Sequence, residues 1–279
     1  MTSFSVVTPN YNMATYLEKT IQSVLCNLRP GDEYFIIDGG SDDGSIEIIH
    51  KYEEYLSGWL SERDNGYSDA LYKGFAISSN ECQCWINSGD VLLDGALNAA
   101  RREFNSSDAD FIYGNDFYIS DSGEVISFAS GYISNLQNAM LFGGWTPLQD
   151  ACFWRQELYT RVGGINKDLQ YAADYDLFLR FALSGRARYV DRTFSAFRKH
   201  EGQKSIAGLN HYKMERESIR LRTRKKIRVS VVRDVMLSLY YWFFLRLRAR
   251  AHPWRSRTKR LEGAPIKSLP CGSYNVRGG

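Results

Sequence analysis

Four short apolar runs alternate with helix-patterned segments through the first third of the chain, and each run ends in a polar cluster. The runs are Phe4–Thr8, Tyr34–Ile37, Gly58–Ser61 and Cys84–Ile86. Between the first two, residues 13–27 carry Leu17, Ile21, Val24 and Leu25 at helical spacing, and further helices are predicted over about 44–55 and 67–78. Alternation of this kind builds a parallel sheet covered on both faces, so the fold class is α/β. Ligands of such sheets lie off the carboxyl ends of the strands. The polar residues fall at those ends: Thr8–Asn12, Asp38–Ser45, Glu62–Asp69 and Asn87–Asp90.

Past residue 110 the pattern changes. Phe111–Tyr113, Phe117–Ile119 and Val125–Phe128 read as short antiparallel strands around an Asp121-Ser122-Gly123 turn, and Ala151–Trp154 as another strand. Asp174–Ser184 reads as a helix with Leu177, Phe178 and Phe181 on one face and Gly185 as its stop. The 279 residues suffice for one full α/β core and an appended segment. Charge divides the chain in the same way. Residues 220–260 hold fourteen Lys/Arg against Asp234 alone and residues 261–279 add +1, which leaves −11 for residues 1–219 of the net +3. The predicted organisation is an α/β domain over 1–205, a basic and apolar helical extension over 206–254, and a flexible tail over 255–279.

The five cysteines, Cys26, Cys82, Cys84, Cys152 and Cys271, form no Cys-x-x-Cys and read as buried or incidental thiols of a reducing compartment. Met1 leads almost directly into the first strand without the apolar stretch of a signal peptide, and a cytoplasmic setting is expected.

The most informative octet is Gln83-Cys84-Trp85-Ile86-Asn87-Ser88-Gly89-Asp90. Carboxylate and amide oxygens at a strand end suit a hard divalent cation holding a diphosphate. The same residues are also ordinary turn chemistry. Around the octet stand Val6-Val7-Thr8-Pro9-Asn10-Tyr11-Asn12, Ile36-Ile37-Asp38-Gly39-Gly40-Ser41-Asp42-Asp43-Gly44-Ser45, Glu62-Arg63-Asp64-Asn65-Gly66-Tyr67-Ser68-Asp69, Ala173-Asp174-Tyr175-Asp176 and Phe197-Arg198-Lys199-His200-Glu201-Gly202-Gln203-Lys204-Ser205.

In order and spacing these clusters, from Ser5 to about Ser205, resemble glycosyltransferase family 2, the inverting nucleotide-sugar enzymes of the GT-A fold. The resemblance implies a mostly parallel GT-A sheet flanked by helices, here with a C-terminal basic, amphipathic helical extension. It puts Thr8, Pro9 and Tyr11 at the nucleotide, with Tyr11 stacked on the base. Asp38 would accept from a nucleobase N–H or ribose hydroxyl, while Gly39 stands where the family often has a second acid. Arg63 and Asp64 would approach phosphates and base, or else form a surface salt bridge; Asp42 and Asp43 are expected to cap the next helix. Asp90, Asn87 and His200 would hold Mg²⁺ or Mn²⁺, although Asn87 and Gly89 replace the carboxylates of the common Asp-x-Asp, and His200 also reads as a loop histidine. Asp174 matches the catalytic base, with Ala173 in place of the usual Glu and Asp176 as second candidate, expected to point elsewhere. Trp145 and Gln149 would face the acceptor, or Trp145 would be a core residue.

The extension has its own logic. Arg220, Arg222, Arg224, Lys225, Lys226 and Arg228 precede an apolar run, Val235–Leu245, closed by Arg246, Arg248 and Arg250. Eleven residues cannot span a bilayer, and Arg233-Asp234 prevents a longer run. Such a helix fits the interface of an anionic membrane; it also fits packing on the domain or on a second subunit. The implied activity moves one sugar from a nucleotide-diphosphate sugar to a hydroxyl of a glycan or lipid-linked saccharide, in cell-surface polysaccharide biosynthesis at the inner face of the cytoplasmic membrane. The other class is a non-catalytic membrane- or nucleic-acid-binding protein acting through the basic tail. The acidity of residues 1–219 argues against nucleic acid, whose phosphates would repel it.

Overall fold

The computed structural model describes residues 2–200 and 208–251. Glu201–Ser205 of the last motif, the boundary expected at 205/206 and the tail expected over 255–279 lie outside the described residues. The parallel half of the sheet contains β1 (Phe4–Asn10), β2 (Glu33–Asp38), β3 (Gly58–Ser61) and β4 (Cys82–Trp85), in the order β3-β2-β1-β4. Helices α1 (Ala14–Leu25), α2 (Ser45–Tyr52) and α3 (Tyr67–Ile77) connect them, as the alternation requires. Every residue of β1 is buried, which explains why it reads as a continuous run and not as an alternating one.

The second half is built from β5 (Val91–Leu92), β6 (Phe111–Ile119), β7 (Val125–Ala129), β8 (Cys152–Arg155) and β9 (Ala187–Arg198). Strand β8 runs antiparallel to β4 and β6, β9 parallel to β6, β5 antiparallel to β9, and β7 antiparallel to β6. The two short strands expected at 111–113 and 117–119 are one. Gly114-Asn115-Asp116 continues the pairing with β9 through two register shifts, a bulge that re-aims the side chains. Helices α4 (Ala96–Ser106), α5 (Leu136–Gly143), α6 (Gln156–Arg161) and α7 (Ala173–Ser184) complete the layers. The Phe178 ring of α7 stacks on Trp85 at 5.6 Å and on Phe111 at 5.3 Å, fixing α7 on the sheet beside the end of β4.

Two helices follow, Leu209–Lys226 and Val231–Ala251. The first is fastened to the α/β domain. Glu215 accepts from the backbone N–H groups of Gln170 (3.1 Å), Tyr171 (2.9 Å) and Ala172 (2.8 Å), immediately ahead of α7. Arg220 donates to the Leu141 and Phe142 carbonyls near the end of α5, at 3.1 and 2.7 Å. The second helix lays Tyr241 and Leu245 over Gly143, where a Cβ would meet Leu245 at 2.7 Å. Its opposite face, with Val232, Val235, Met236, Leu239 and Phe243, is exposed. The apolar run thus packs on the domain with one face and leaves the other open. Among the described residues no helix is long and apolar enough to cross a membrane.

Cys82, Cys84 and Cys152 are buried thiols. Cys26, read from sequence as a thiol, is disulfide-bonded; Cys271 lies outside the described residues.

Candidate active site

Parallel pairing sets Asn10, Asp38 and Ser61 side by side at the carboxyl ends of β1, β2 and β3. Asp38 is fully buried. Its Oδ1 accepts from Asn10 Nδ2 (2.7 Å) and Ser41 Oγ (2.5 Å), and its Oδ2 from Gly40 N (3.0 Å), Ser41 N (2.9 Å) and Ser61 Oγ (2.7 Å). Burial alone would raise its pKa, but the hydrogen bonds from Ser41, Asn10 and Ser61 outweigh it and hold the carboxyl below the usual range. Both oxygens expected at the nucleotide are engaged within the protein. Asp38 is therefore the hub that shapes the Gly39–Ser41 loop, and a nucleotide would reach it only by displacing one of these donors.

Asp64 extends this arrangement. A Cβ at Gly39 would lie 3.0–3.2 Å from the Asp64 carboxylate atoms. Asp64, three residues beyond β3, thus lies against Gly39. Asp64 Oδ1 accepts from Gly66 N at 2.8 Å. Tyr11 is 64% exposed, open to stacking, and Arg63 is exposed with no hydrogen bond or ion pair among the described residues. Thr8 is placed differently: its hydroxyl pairs with Tyr34 OH at 3.1 Å inside the core and does not reach the cleft. The Pro9 carbonyl accepts from Ser88 Oγ at 3.1 Å, tying the first loop to the Asn87–Asp90 turn. Asp43 accepts from Ser45 N and from Ala14 N, capping α2 as expected and also the start of α1.

The Asn87–Asp90 turn needs its glycine, since Gly89 has φ +115° and a Cβ there would lie 2.9 Å from Met13 Cε. Asp90 Oδ1 accepts from Arg198 N at 2.9 Å. The buried Arg198 guanidinium donates to the Gly89, Ser120 and Asp121 carbonyls and lies 5.0 Å from the Tyr16 ring. Burial pushes the Asp90 carboxyl well up, and Asp150 adds to the effect. Asp116 and Asp150 are also buried, and burial raises Asp150 to about 6. Asp150 lies in the Trp145–Asp150 stretch expected to face the acceptor; Asp116 was not singled out, and its one signal is a charge inside an otherwise apolar strand.

Asn87 Nδ2 donates to Gln149 Oε1 (2.7 Å) and Asp90 Oδ2 (3.2 Å), leaving Asn87 Oδ1 buried without a hydrogen-bond partner. Gln149 also donates to the Trp85 carbonyl at 3.0 Å. Both ends of its amide are committed, so Gln149 braces the turn and does not face an acceptor. The orphaned amide oxygen beside a buried carboxyl fits one hard cation. No group of three or more His, Cys, Asp or Glu among the described residues can hold an ion alone, so diphosphate oxygens would have to complete the shell. The His200 ring lies 5.3 Å from that of Tyr16, just beyond Arg198.

Asp174 stands in the first turn of α7. The residue is half-buried, but its Oδ1 is sealed and has no hydrogen-bond partner. Burial lifts its pKa to about 6, against the pull of backbone N–H groups, Tyr212 and Arg216. Asp176 turns away to Arg180 (2.6 and 2.9 Å), where both line a surface cavity with Val162 and Lys167. Tyr67, which sequence reasoning did not single out, connects the two ends of the cleft. Its phenol is pushed well up by burial, then by the charge of Asp174, and it also feels Asp90. Trp145 is half-buried with its ring 6.4 Å from that of Tyr113.

The Glycosyl transferase family 2 model matches residues 5–163, more than half of the chain, and the chain belongs to that family. An uncharacterised glycosyltransferase of Nostoc is 31% identical over 211 residues, 70% of this chain and 64% of the relative. S. aureus TarS 1–349 in complex with UDP-GlcNAc has a TM-score of 0.58 at 18% identity, covering 73% of this chain and 60% of that one. The mannosyltransferase PcManGT of Pyrobaculum calidifontis, in complex with GDP-Man and Mn²⁺, has a TM-score of 0.57 at 14% identity and covers 91% and 77%. The protein is a glycosyltransferase with a GT-A fold. The chain spans slightly less than two thirds of the Nostoc relative and of the TarS fragment.

Proposed function

We propose that this enzyme transfers one sugar, with inversion, from a nucleotide-diphosphate sugar to a hydroxyl of a glycan or lipid-linked saccharide during cell-surface polysaccharide assembly. The observation that carries the reading is Asp174: one half-buried carboxylate in the first turn of α7, held by burial at about 6, with Tyr67 between it and Asp90. A base poised near neutrality takes the proton of the acceptor hydroxyl as that oxygen attacks the anomeric carbon, and the nucleoside diphosphate departs from the opposite face. Tyr11 offers its exposed ring to the base, while the loop held by Asp38 and the Asp64 carboxylate receive the nucleoside. Asp90 and Asn87 Oδ1 would hold Mg²⁺ or Mn²⁺, which when bound neutralises charge on the leaving diphosphate. Arg198 keeps Asp90 aimed by its backbone N–H. The alternative of a non-catalytic tail-binding protein finds no support in the family match.

Slow release of UDP, GDP or TDP from its sugar nucleotide, dependent on Mn²⁺ or Mg²⁺ and abolished by EDTA, is the expected result. No hydrolysis of any donor with either metal would sink the reading.

A peripheral position on the inner membrane surface belongs to the same proposal. Its support is the open apolar face at Val235, Met236, Leu239 and Phe243, with the Arg246 guanidinium 3.9 Å from the Trp242 ring centroid. Binding to anionic vesicles should survive high salt in part, because ring insertion is not screened as charge attraction is. Complete release by salt would contradict insertion.

A further inference from the structure

We infer that Glu215 positions the base: from the helix Leu209–Lys226 it fixes the chain where it enters α7, so the acceptor end of the site is complete only with that helix. The inference rests on the reading of Asp174 as the base.

Residues 169–172 belong to no helix or strand, yet they carry the chain into the turn that holds Asp174. The Ala172 carbonyl accepts from Asp176 N at 3.0 Å, the hydrogen bond that opens α7. Ala172 is also the N-cap, and its methyl group cannot cap the helix as Ser, Thr, Asp or Asn would. The N-cap side chain therefore does not set the direction in which α7 begins. Glu215 does so from 43 residues further on. Its Oε2 accepts from Ala172 N at 2.8 Å and Tyr171 N at 2.9 Å, and its Oε1 from Gln170 N at 3.1 Å. One carboxylate gathering three consecutive N–H groups holds this stretch of backbone in one conformation, and its charge strengthens each bond.

On its other side the same stretch is tied to the start of α3. Ser68 Oγ donates to the Leu169 carbonyl, and Gln170 Nε2 to the Asn65 carbonyl at 3.2 Å. Asn65 adjoins Asp64, so the residues ahead of α7 are strung between the loop proposed for the nucleoside and the helix Leu209–Lys226. That helix is a firm support. Ile219 is buried, Arg220 donates to the Leu141 and Phe142 carbonyls, and the Arg216 guanidinium lies over Gly144, where a Cβ would be 3.4 Å from Cζ. The His211 ring stacks on that of Tyr171 at 5.2 Å and 16°. Removing the Glu215 carboxylate alone leaves these contacts in place, so the helix stays docked while the backbone at 170–172 is released. A displaced base loses rate without loss of donor binding.

The test uses the full chain with Mn²⁺ and follows hydrolysis of UDP-GlcNAc, UDP-glucose, GDP-mannose or TDP-glucose, whichever the wild type cleaves, with water in place of the acceptor. Glu215→Ala should lower kcat about tenfold and leave KM within about twofold. It should also move the acid limb of the pH–rate profile below about 6, because a loosened turn admits water to a carboxyl held up by burial. The titratable and charged groups facing Asp174 are Tyr67 from α3, Cys152 from β8, and Tyr212 and Arg216 from the same helix as Glu215, and none of them is altered. Glu215→Gln keeps the shape and one acceptor oxygen, so it should show a smaller loss, about threefold. UDP should stabilise both variants against heat as it does the wild type. An unchanged kcat and acid limb in either variant would overturn the inference. So would a loss of UDP affinity in step with kcat, which would make Glu215 a brace of the whole fold. Asp174→Asn separates the two readings. Hydrolysis within about tenfold of wild type would take the base away from Asp174; an inactive Asp174→Asn beside an unchanged Glu215→Ala would overturn the positioning role alone.

Discussion

The two ends proposed for donor and acceptor, around Asp38 and around Asp174, are built in opposite ways. At the donor end Asp38 collects five hydrogen bonds, from the two neighbouring strand ends and from its own loop, and no carboxylate oxygen is left over. At the other end Asp174 is half-buried, and burial lifts its carboxyl to about 6 against the pull of backbone N–H groups, Tyr212 and Arg216. The first is wired before any ligand arrives, and under the proposed function it is a surface preorganised for the nucleotide. The second keeps a carboxyl poised near neutrality.

The largest effect on folding should follow from breaking the donor hub. Asp38→Ala strands several buried donors at once and should cost on the order of 3 kcal/mol of stability, together with most of the affinity for UDP. Because the Asp38 pKa is depressed in the folded state, its contribution is present above the unfolded value of about 3.9 and is lost as pH falls through the folded value. The variant should therefore lose stability less steeply on acidification, as thermal melts at pH 3–6 would show. An unchanged UDP affinity would mean that the loop does not depend on its hub.

A smaller effect is expected from Glu215→Ala. It releases three backbone N–H groups ahead of α7 and lets Asp174 shift, so transfer should fall about tenfold while UDP affinity stays near wild type. Equal loss at both ends would erase the distinction between them.

The donor end was the more legible in sequence because its grammar is local. Asp38 and Ser41 lie three residues apart at a strand end, and the strand–helix alternation fixes which ends adjoin. What stayed hidden was the degree of saturation, since Asn10 and Ser61 become partners of Asp38 only through register across β1, β2 and β3. Gln149 illustrates the same limit. Its neighbourhood in the chain pointed to the acceptor, yet its amide bonds to Asn87, 62 positions earlier. The acceptor end was largely illegible. Glu215, Tyr212 and Arg216 come some forty residues after Asp174 in a helix whose charges read as a solvated or lipid-facing run. No periodicity distinguishes Arg216 from Arg222; only the packing of that helix on α5 and α7 does. Thr8 shows the converse, a motif residue whose hydroxyl was already taken by the core.

The central claim, that Asp174 is the base, is tested most directly by the pH dependence of transfer at saturating donor. Burial holds this carboxyl at about 6, so protonation below that value removes the base, and the rate should climb through pH 6 and level off above it. Asp174→Asn should lower transfer by several orders of magnitude and lose that limb while retaining UDP binding. A wild-type profile flat from pH 5 to 8, or a variant within about tenfold of wild type, would contradict the claim and transfer the role to another group.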